Sequence, residues 1–225
     1  MDPVIERAIE KKKRKIVKAI LKWGREHARA FPWRENRDPY KVLVAEVILR
    51  RTTAKAANRI YEEFLRRYPN LETLTQAREG DLESILSAVG YHKRRASILK
   101  EIASFIISEF GGVIPRTKAD LLRVPHIGHY IAGSILSLGY GIRSAMVDSN
   151  VQRIISRVFA GVLPLRKRPE LIIEIAEALV PVKGHETFNF GMLDLGALIC
   201  RYDKRLCWEC PIKEVCDSAT GNEQT

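Results

Sequence analysis

The chain has 225 residues, 46% hydrophobic and 29% charged, with a formal net charge of +11 and an isoelectric point of about 9.6. The apolar share excludes a disordered chain, and the length allows one large domain or two small ones that share a core. A folded chain this basic points to a polyanionic partner, nucleic acid before an anionic membrane surface, with general solubility as the plain alternative.

Taken in order, residues 4–29 predict a long basic helix with Ile16, Ala19, Ile20 and Trp23 on one face. The cations of residues 11–15 fit a solvated helix face better than a nucleic-acid patch. "FPWRENRDPY" reads as a loop, punctuated by Pro32 and Pro39. Helices are expected over residues 40–51, 54–68, 79–88, 92–110, 117–123, 129–139, 149–160, 168–180 and 185–200. Their breakers are Gly90, the glycine pair Gly111 and Gly112 ahead of Pro115, then Pro125, Gly139, Gly141 and Pro181. No alternating strand pattern, internal repeat or low-complexity tract is visible, so the fold class is all-α. The polar tail "DSATGNEQT" is expected to fray. No stretch has the length and apolarity of a membrane span, and the start, with Asp2 and Glu6, has no secretory h-region. An intracellular, cytoplasmic protein is expected, and the charged fraction is of a thermophilic kind.

The four cysteines lie together as Cys200, Cys207, Cys210 and Cys216, spaced C-x6-C-x2-C-x5-C. In an intracellular chain such a cluster suits metal ligation better than disulfides. Zinc and an iron–sulfur cluster both accept four thiolates, and spacing alone does not separate them. Arg201, Lys204 and Arg205 lie between the first two cysteines, where a metal-tied loop would hold them ready for phosphates.

"LLRVPHIGHYIAGSIL" reads as a helix, a tight turn and a second helix. Pro125 stops the first helix, Gly128 allows the turn, and the second begins near His129. The N–H groups at such a helix start suit a DNA phosphate. Two carboxylates stand out. Glu46, inside "LVAEVIL", either faces solvent or is buried and pushed towards neutrality. Asp148 reads as the N-cap of "SNVQRIISRV", held ionised by the helix start. Two acids with pKa values pushed apart suit hydrolysis at a sugar C1′ through an oxocarbenium-like centre.

These stretches together resemble the helix–hairpin–helix DNA glycosylases of the endonuclease III and MutY superfamily. The resemblance rests on "FPWRENRDPYKVLVAEVILRRTTA", on "VPHIGHYIAGSIL" followed by "MVDSNVQRI", and on "FGMLDLGALICRYDKRLCWECPIKEVC". It implies a [4Fe–4S] cluster on the four cysteines and two helical domains flanking a DNA-binding cleft. One would be a helical barrel of residues 31–142, with the helix–hairpin–helix at about 117–137. The other would join residues 1–30 to the cluster segment within 143–225. The target nucleotide would be flipped from duplex DNA into the cleft. Asp148, Tyr130 and Glu46 would be catalytic. Arg50, Arg51, Thr52, His126, Gly128, His129, Arg201, Lys204 and Arg205 would meet DNA, with Arg51 filling the gap and contacting the orphan guanine.

Strand-nicking relatives carry a lysine where this chain has Tyr130, and a phenol forms no Schiff base. The resemblance therefore implies a monofunctional enzyme, monomeric on mismatched double-stranded DNA. Within the superfamily the chain is most similar to archaeal mismatch thymine glycosylases, which share "LRRTTA" and the hairpin tyrosine. Excision of thymine or uracil opposite guanine is expected. Adenine glycosylases carry a glutamine pair where Arg50 and Arg51 stand, and a reader of oxidised guanine beyond the cluster; this sequence ends nine residues after Cys216. An adenine glycosylase and a non-catalytic iron–sulfur DNA-binding protein remain the alternatives. The chain departs from the family at His126, where the hairpin usually has a glycine.

Overall fold

The computed structural model describes residues 2–35, 37–162 and 169–220. In chain order the helices are α1 (Pro3–His27), α2 (Pro32–Glu35), α3 (Pro39–Leu49), α4 (Ala54–Arg67), α5 (Leu71–Gln76), α6 (Glu79–Leu86), α7 (His92–Phe110), α8 (Lys118–Arg123), α9 (His129–Ser134), α10 (Ser149–Val158), α11 (Pro169–Leu179), α12 (His185–Leu198) and α13 (Asp217–Thr220). Among the described residues, strand-like pairing is limited to an isolated bridge between Cys200 and Arg205. None of the described helices is long and apolar enough to cross a membrane. The chain divides into two compact units.

The terminal unit joins Met1–Arg29 to Arg143–Thr225. Asp2 caps α1 by accepting the Val4 N–H at 2.8 Å, with Pro3 at the first helical position. The buried stripe of α1 is Ile5, Ile9, Ile16, Ile20 and Trp23, and it packs on α12. Gly191 permits that approach, since a Cβ there would lie 2.9 Å from the Ile20 Cγ2. Lys11, Lys13, Arg14 and Lys15 are exposed, as a solvated face should be, but Lys12 turns inward. Its Nζ donates to the Val158 carbonyl at 2.6 Å and pairs with Asp217. Asp217 also accepts the Gly161 N–H at 3.0 Å. The expected frayed tail is thus corrected at its start: residues 217–220 are helical and tied down, while residues 221–225 lie outside the described residues.

The central unit is Ala30–Ile142. Its axis is α3, in which Tyr40 and residues 42–48 are all buried. A helix apolar on every side can only be a core helix. Asp38 caps it through the Lys41 N–H at 2.9 Å. The helices α4, α7 and α9 pack around it.

Three local expectations are corrected. "FPWRENRDPY" is not wholly loop: Pro32 opens the short α2, whose buried Trp33 stacks on Phe31 at 4.8 Å and meets Tyr61 edge-on at 5.8 Å. Residues 71–76 form α5, held by a reciprocal cap between Asn70 and Thr73. The helix expected over 129–139 is regular only to Ser134, then widens into a π turn over Ile135–Gly139. The proposed start of a helix at residue 168 lies outside the described residues.

Candidate functional site

In the central unit, Tyr130 is the second residue of α9, and its hydroxyl donates to the Glu46 Oε1 at 3.4 Å. Spacing left the surroundings of Glu46 open; the structure buries it, 7% exposed, in the middle of α3. A core carboxylate that accepts a phenol hydroxyl is far from the solvated residue that a half-buried helix would carry.

The hairpin turn closes through the Ile127 N–H on the Val124 carbonyl at 3.2 Å, with Pro125 and His126 between. Proline followed by a residue of positive φ is the pattern of a type II turn, where the second place favours glycine. His126 fills it with φ +63°. This corrects the role expected of Gly128, which is extended at φ −98° and serves as the N-cap of α9. A Cβ at Gly128 would meet nothing within 4 Å, so this glycine leaves the backbone bare rather than bending it. His129 is exposed beside it. The His126 Nε2 lies 2.7 Å from the Glu101 Oε2 on α7. That partner, with the Ser97 hydroxyl, holds the Glu101 carboxyl below its ordinary range.

After α3 the chain runs through Arg50, Arg51 and Thr52. Arg51 is exposed with φ +50°, and among the described residues its guanidinium has no hydrogen-bond or ion-pair partner. Arg50 points the other way and donates to the His126 carbonyl. Thr52 is half-buried, its N–H on the Leu49 carbonyl at 3.3 Å. A residue that sequence reasoning passed over, Arg95, lies behind this loop, 4% exposed. Its guanidinium donates to the carbonyls of Val47 at 2.6 Å, Gly90 at 3.0 Å, Val89 at 3.3 Å and Arg50. Within "HKRR" nothing in the sequence sets it apart from its cationic neighbours.

In the terminal unit, Asp148 caps α10. Its Oδ1 accepts the Val151 N–H and its Oδ2 the Asn150 side-chain amide, each at 2.8 Å. The cap is as expected, but the electrostatics are corrected. Burial pushes the Asp148 carboxyl up, and the capping N–H groups, Asn150 and Arg153 oppose this only in part. Asn150 is held in turn by Arg153, which donates to its Oδ1 at 2.7 Å, to the Gly196 carbonyl at 2.7 Å and to the Cys200 carbonyl at 2.8 Å. Gly196 is needed for this approach, because a Cβ there would sit 2.5 Å from the Asn150 Cβ. Asn150, Arg153 and Gly196 were absent from the expected site; no periodicity marks a residue that holds another.

The four cysteines line one cavity with Arg157, Ile199, Leu206, Ser218 and Ala219. All four are half-buried. Burial pushes the Cys210 thiol up to about 11 and raises Cys216, and the neighbouring sulfurs add to both shifts. An Arg157 N–H lies 3.1 Å from the Cys200 Sγ. Among the described residues, no three His, Cys, Asp or Glu side chains converge on a position for a single ion. In the loop between Cys200 and Cys207, Arg201 is paired with Asp203 at 3.0 Å, while Lys204 and Arg205 are exposed. Tyr202 and Trp208 stand out beside them, 88% and 66% exposed.

Residues 44–181 match the model of the HhH-GPD superfamily base excision DNA repair proteins. The chain is 35% identical over 210 residues to the thymine/uracil-DNA glycosylase of Methanothermobacter thermautotrophicus, covering 93% of this chain and 95% of that protein. It is 39% identical over 203 residues to the thymine-DNA glycosylase of Aeropyrum pernix, covering 88% and 91%. The adenine DNA glycosylase of Buchnera aphidicola subsp. Baizongia pistaciae is 31% identical over 205 residues, but the match spans only 58% of that protein. The solved structure of a thermostable thymine-DNA glycosylase superposes with a TM-score of 0.89 at 34% identity, covering 95% of this chain and 99% of that one.

Proposed function

The chain belongs to the HhH-GPD superfamily of base excision DNA repair proteins, and from that premise we propose that it is a monofunctional DNA glycosylase that releases thymine or uracil mispaired with guanine. The observation that carries the monofunctional part of this reading is the pair of Tyr130 and Glu46, and the base specificity is supported by the thymine and uracil glycosylases that the chain resembles over nearly their full length. At the start of the hairpin's second helix stands a phenol that donates to a buried carboxylate, not an amine able to attack C1′. Water is then the nucleophile. The C1′–N bond breaks with its electron pair leaving on the base, and water adds to C1′ as Glu46 takes its proton. Asp148 stabilises the oxocarbenium-like centre. Its desolvation makes the ionised carboxylate costly in the resting protein and strengthens its attraction for a cation that develops nearby.

Arg51 is the wedge and the guanine contact, where a bidentate guanidinium suits the O6 and N7 of guanine. Arg50 serves inside the protein instead. Gly128 and His129 offer bare backbone to phosphate, and Lys204 and Arg205 add exposed cations. The four thiols are the ligands of a [4Fe–4S] cluster. What supports this reading is that all four line one cavity and that buried thiols need a cationic partner to ionise. The cluster, when bound, ties residues 200–216 into one loop, and no chemical step passes through it. The two units are read as the barrel domain and the cluster domain.

A side-by-side assay on duplexes with G·T, G·U, A·G and A·oxidised-guanine pairs tests the reading, with each product run before and after alkali. Thymine and uracil release opposite guanine is expected, with strand breaks only after alkali. Preferred adenine release would convert the assignment to the adenine enzyme. Breaks without alkali and a borohydride-trapped adduct would overturn the reading of Tyr130. Release of no base at all would leave a DNA-binding protein.

A further inference from the structure

Arg51 and His126 share an uncommon property: both are non-glycine residues with left-handed backbone. Such conformations persist only where the surroundings over-determine them. For Arg51 the surroundings are the last carbonyls of α3. Those of Val47 and Arg50 have no partner further along the helix, and Arg95 supplies one buried cation to both. The same guanidinium reaches Val89 and Gly90. For His126 the holder is Glu101, further along the same helix α7 that carries Arg95. The Arg50 guanidinium then joins the two strained residues by donating to the His126 carbonyl. The wedge loop and the hairpin are therefore both referenced to α7 and directly to each other. Arg51 itself is left without a partner among the described residues.

We propose that Arg95, Arg50 and His126 are positioning residues that build the wedge loop and the hairpin into one frame on α7, so that seating the hairpin on the DNA backbone and inserting Arg51 into the duplex are a single event. The proposal rests on the reading of Arg51 as the wedge. In this frame the His126 imidazole is required only because the residue is not glycine; its carbonyl is the part that Arg50 uses. A grip that closes without inserting the wedge would bind well and flip poorly, and the frame removes that state.

The experiment uses the full-length protein and a G·T duplex with 2-aminopurine beside the mismatch, read for unstacking, with duplex affinity, KM and kcat measured in parallel. Arg50→Met keeps the length of the side chain and removes its donors. It should lower the unstacking amplitude and kcat about tenfold, within the cost of a small misplacement, and should change duplex affinity far less. Arg51→Ala should lower unstacking by itself. The double variant should be no worse than Arg51→Ala alone, because nothing remains to be positioned. His126→Ala keeps the carbonyl but leaves the left-handed backbone unheld and should lose unstacking; His126→Gly, at ease with positive φ, should recover most of it. Additive losses in the double variant would overturn the frame, as would normal unstacking in Arg50→Met, or equal behaviour of the two His126 variants. If Arg51→Ala unstacks normally, it is the wedge reading that falls.

Discussion

Arg95 and Arg153 both place a guanidinium on the carbonyls that end another helix, α3 in the central unit and α12 in the terminal one. Each meets the negative end of a helix macrodipole, and each satisfies oxygens that the helix cannot. They differ in what else they hold. Every partner of Arg95 is a backbone carbonyl, so it fixes the path of the main chain and leaves the Arg51 side chain free. Arg153 spends one N–H on the Asn150 side chain, which in turn holds the Asp148 carboxylate. The contrast follows from the two tasks. A wedge needs a fixed root and a mobile tip, whereas a carboxylate that faces a developing cation needs its charge fixed in place.

The most damaging way to break the Arg153 branch is to remove what it positions. Asp148→Asn keeps a capping oxygen but not the charge, and single-turnover base release should fall by about 10³-fold while the duplex is still bound. The same variant sharpens the comparison through stability. Burial raises the Asp148 carboxyl above its ordinary 3.8, so between the two pKa values the folded protein holds a proton that the unfolded chain has released. Ionisation therefore costs stability as the pH rises through that range. Melting curves should show Asp148→Asn to be the more stable protein at neutral pH, with the advantage shrinking as the pH falls towards 3.8 and gone below it. An advantage that grows in acid would mean that the cap, not burial, governs this group.

Gly196→Ala should have a smaller and more structural effect. The new Cβ would press on Asn150 from 2.5 Å, an overpacking that costs about 1–3 kcal/mol. The melting temperature should fall, and base release should fall with it as Asn150 is displaced from Asp148. A variant that melts early but releases base at the normal rate would uncouple Asn150 from the chemistry.

How much of this was legible follows from what each signal measures. Apolar spacing located most of the helices, because burial on one face repeats at 3.6 residues. It missed α5, whose six residues are too few to show a period and whose signal is the cap at Asn70. The carboxylates, the hairpin and the cysteines could be marked as candidates because their residue types are costly or unusual in those places. The direction of the Asp148 shift could not, since a cap and a desolvated pocket oppose each other and only the structure weighs them. The left-handed residue of the hairpin was marked only through the resemblance, as His126 in the place of a usual glycine; the Glu101 partner beside it could not be read from spacing. Arg95 and Arg153 were invisible because a cation in a basic sequence looks solvated, and their partners are carbonyls that every residue has.

The smallest predicted effect lies on neither branch. Lys204 and Arg205 are exposed, and no contact among the described residues fixes their charged ends. Changing either to Ala should weaken binding to all duplexes alike and flatten the salt dependence by about one unit at most. A loss that depends on the mispair would show that this loop reads bases.

The division of the chain also orders its synthesis. The central unit is continuous in sequence, so residues 30–142 can close their core as soon as they emerge. The terminal unit is not. The α1 helix is made before α11 and α12, yet its stripe of Ile5, Ile9, Ile16, Ile20 and Trp23 has no lasting cover until they arrive, more than 140 residues later. Its many exposed cations keep that waiting helix soluble. The lock between Lys12 and Asp217 closes only after the whole central unit has been made, so the unit that carries Asp148 and the cysteines becomes native after the central one.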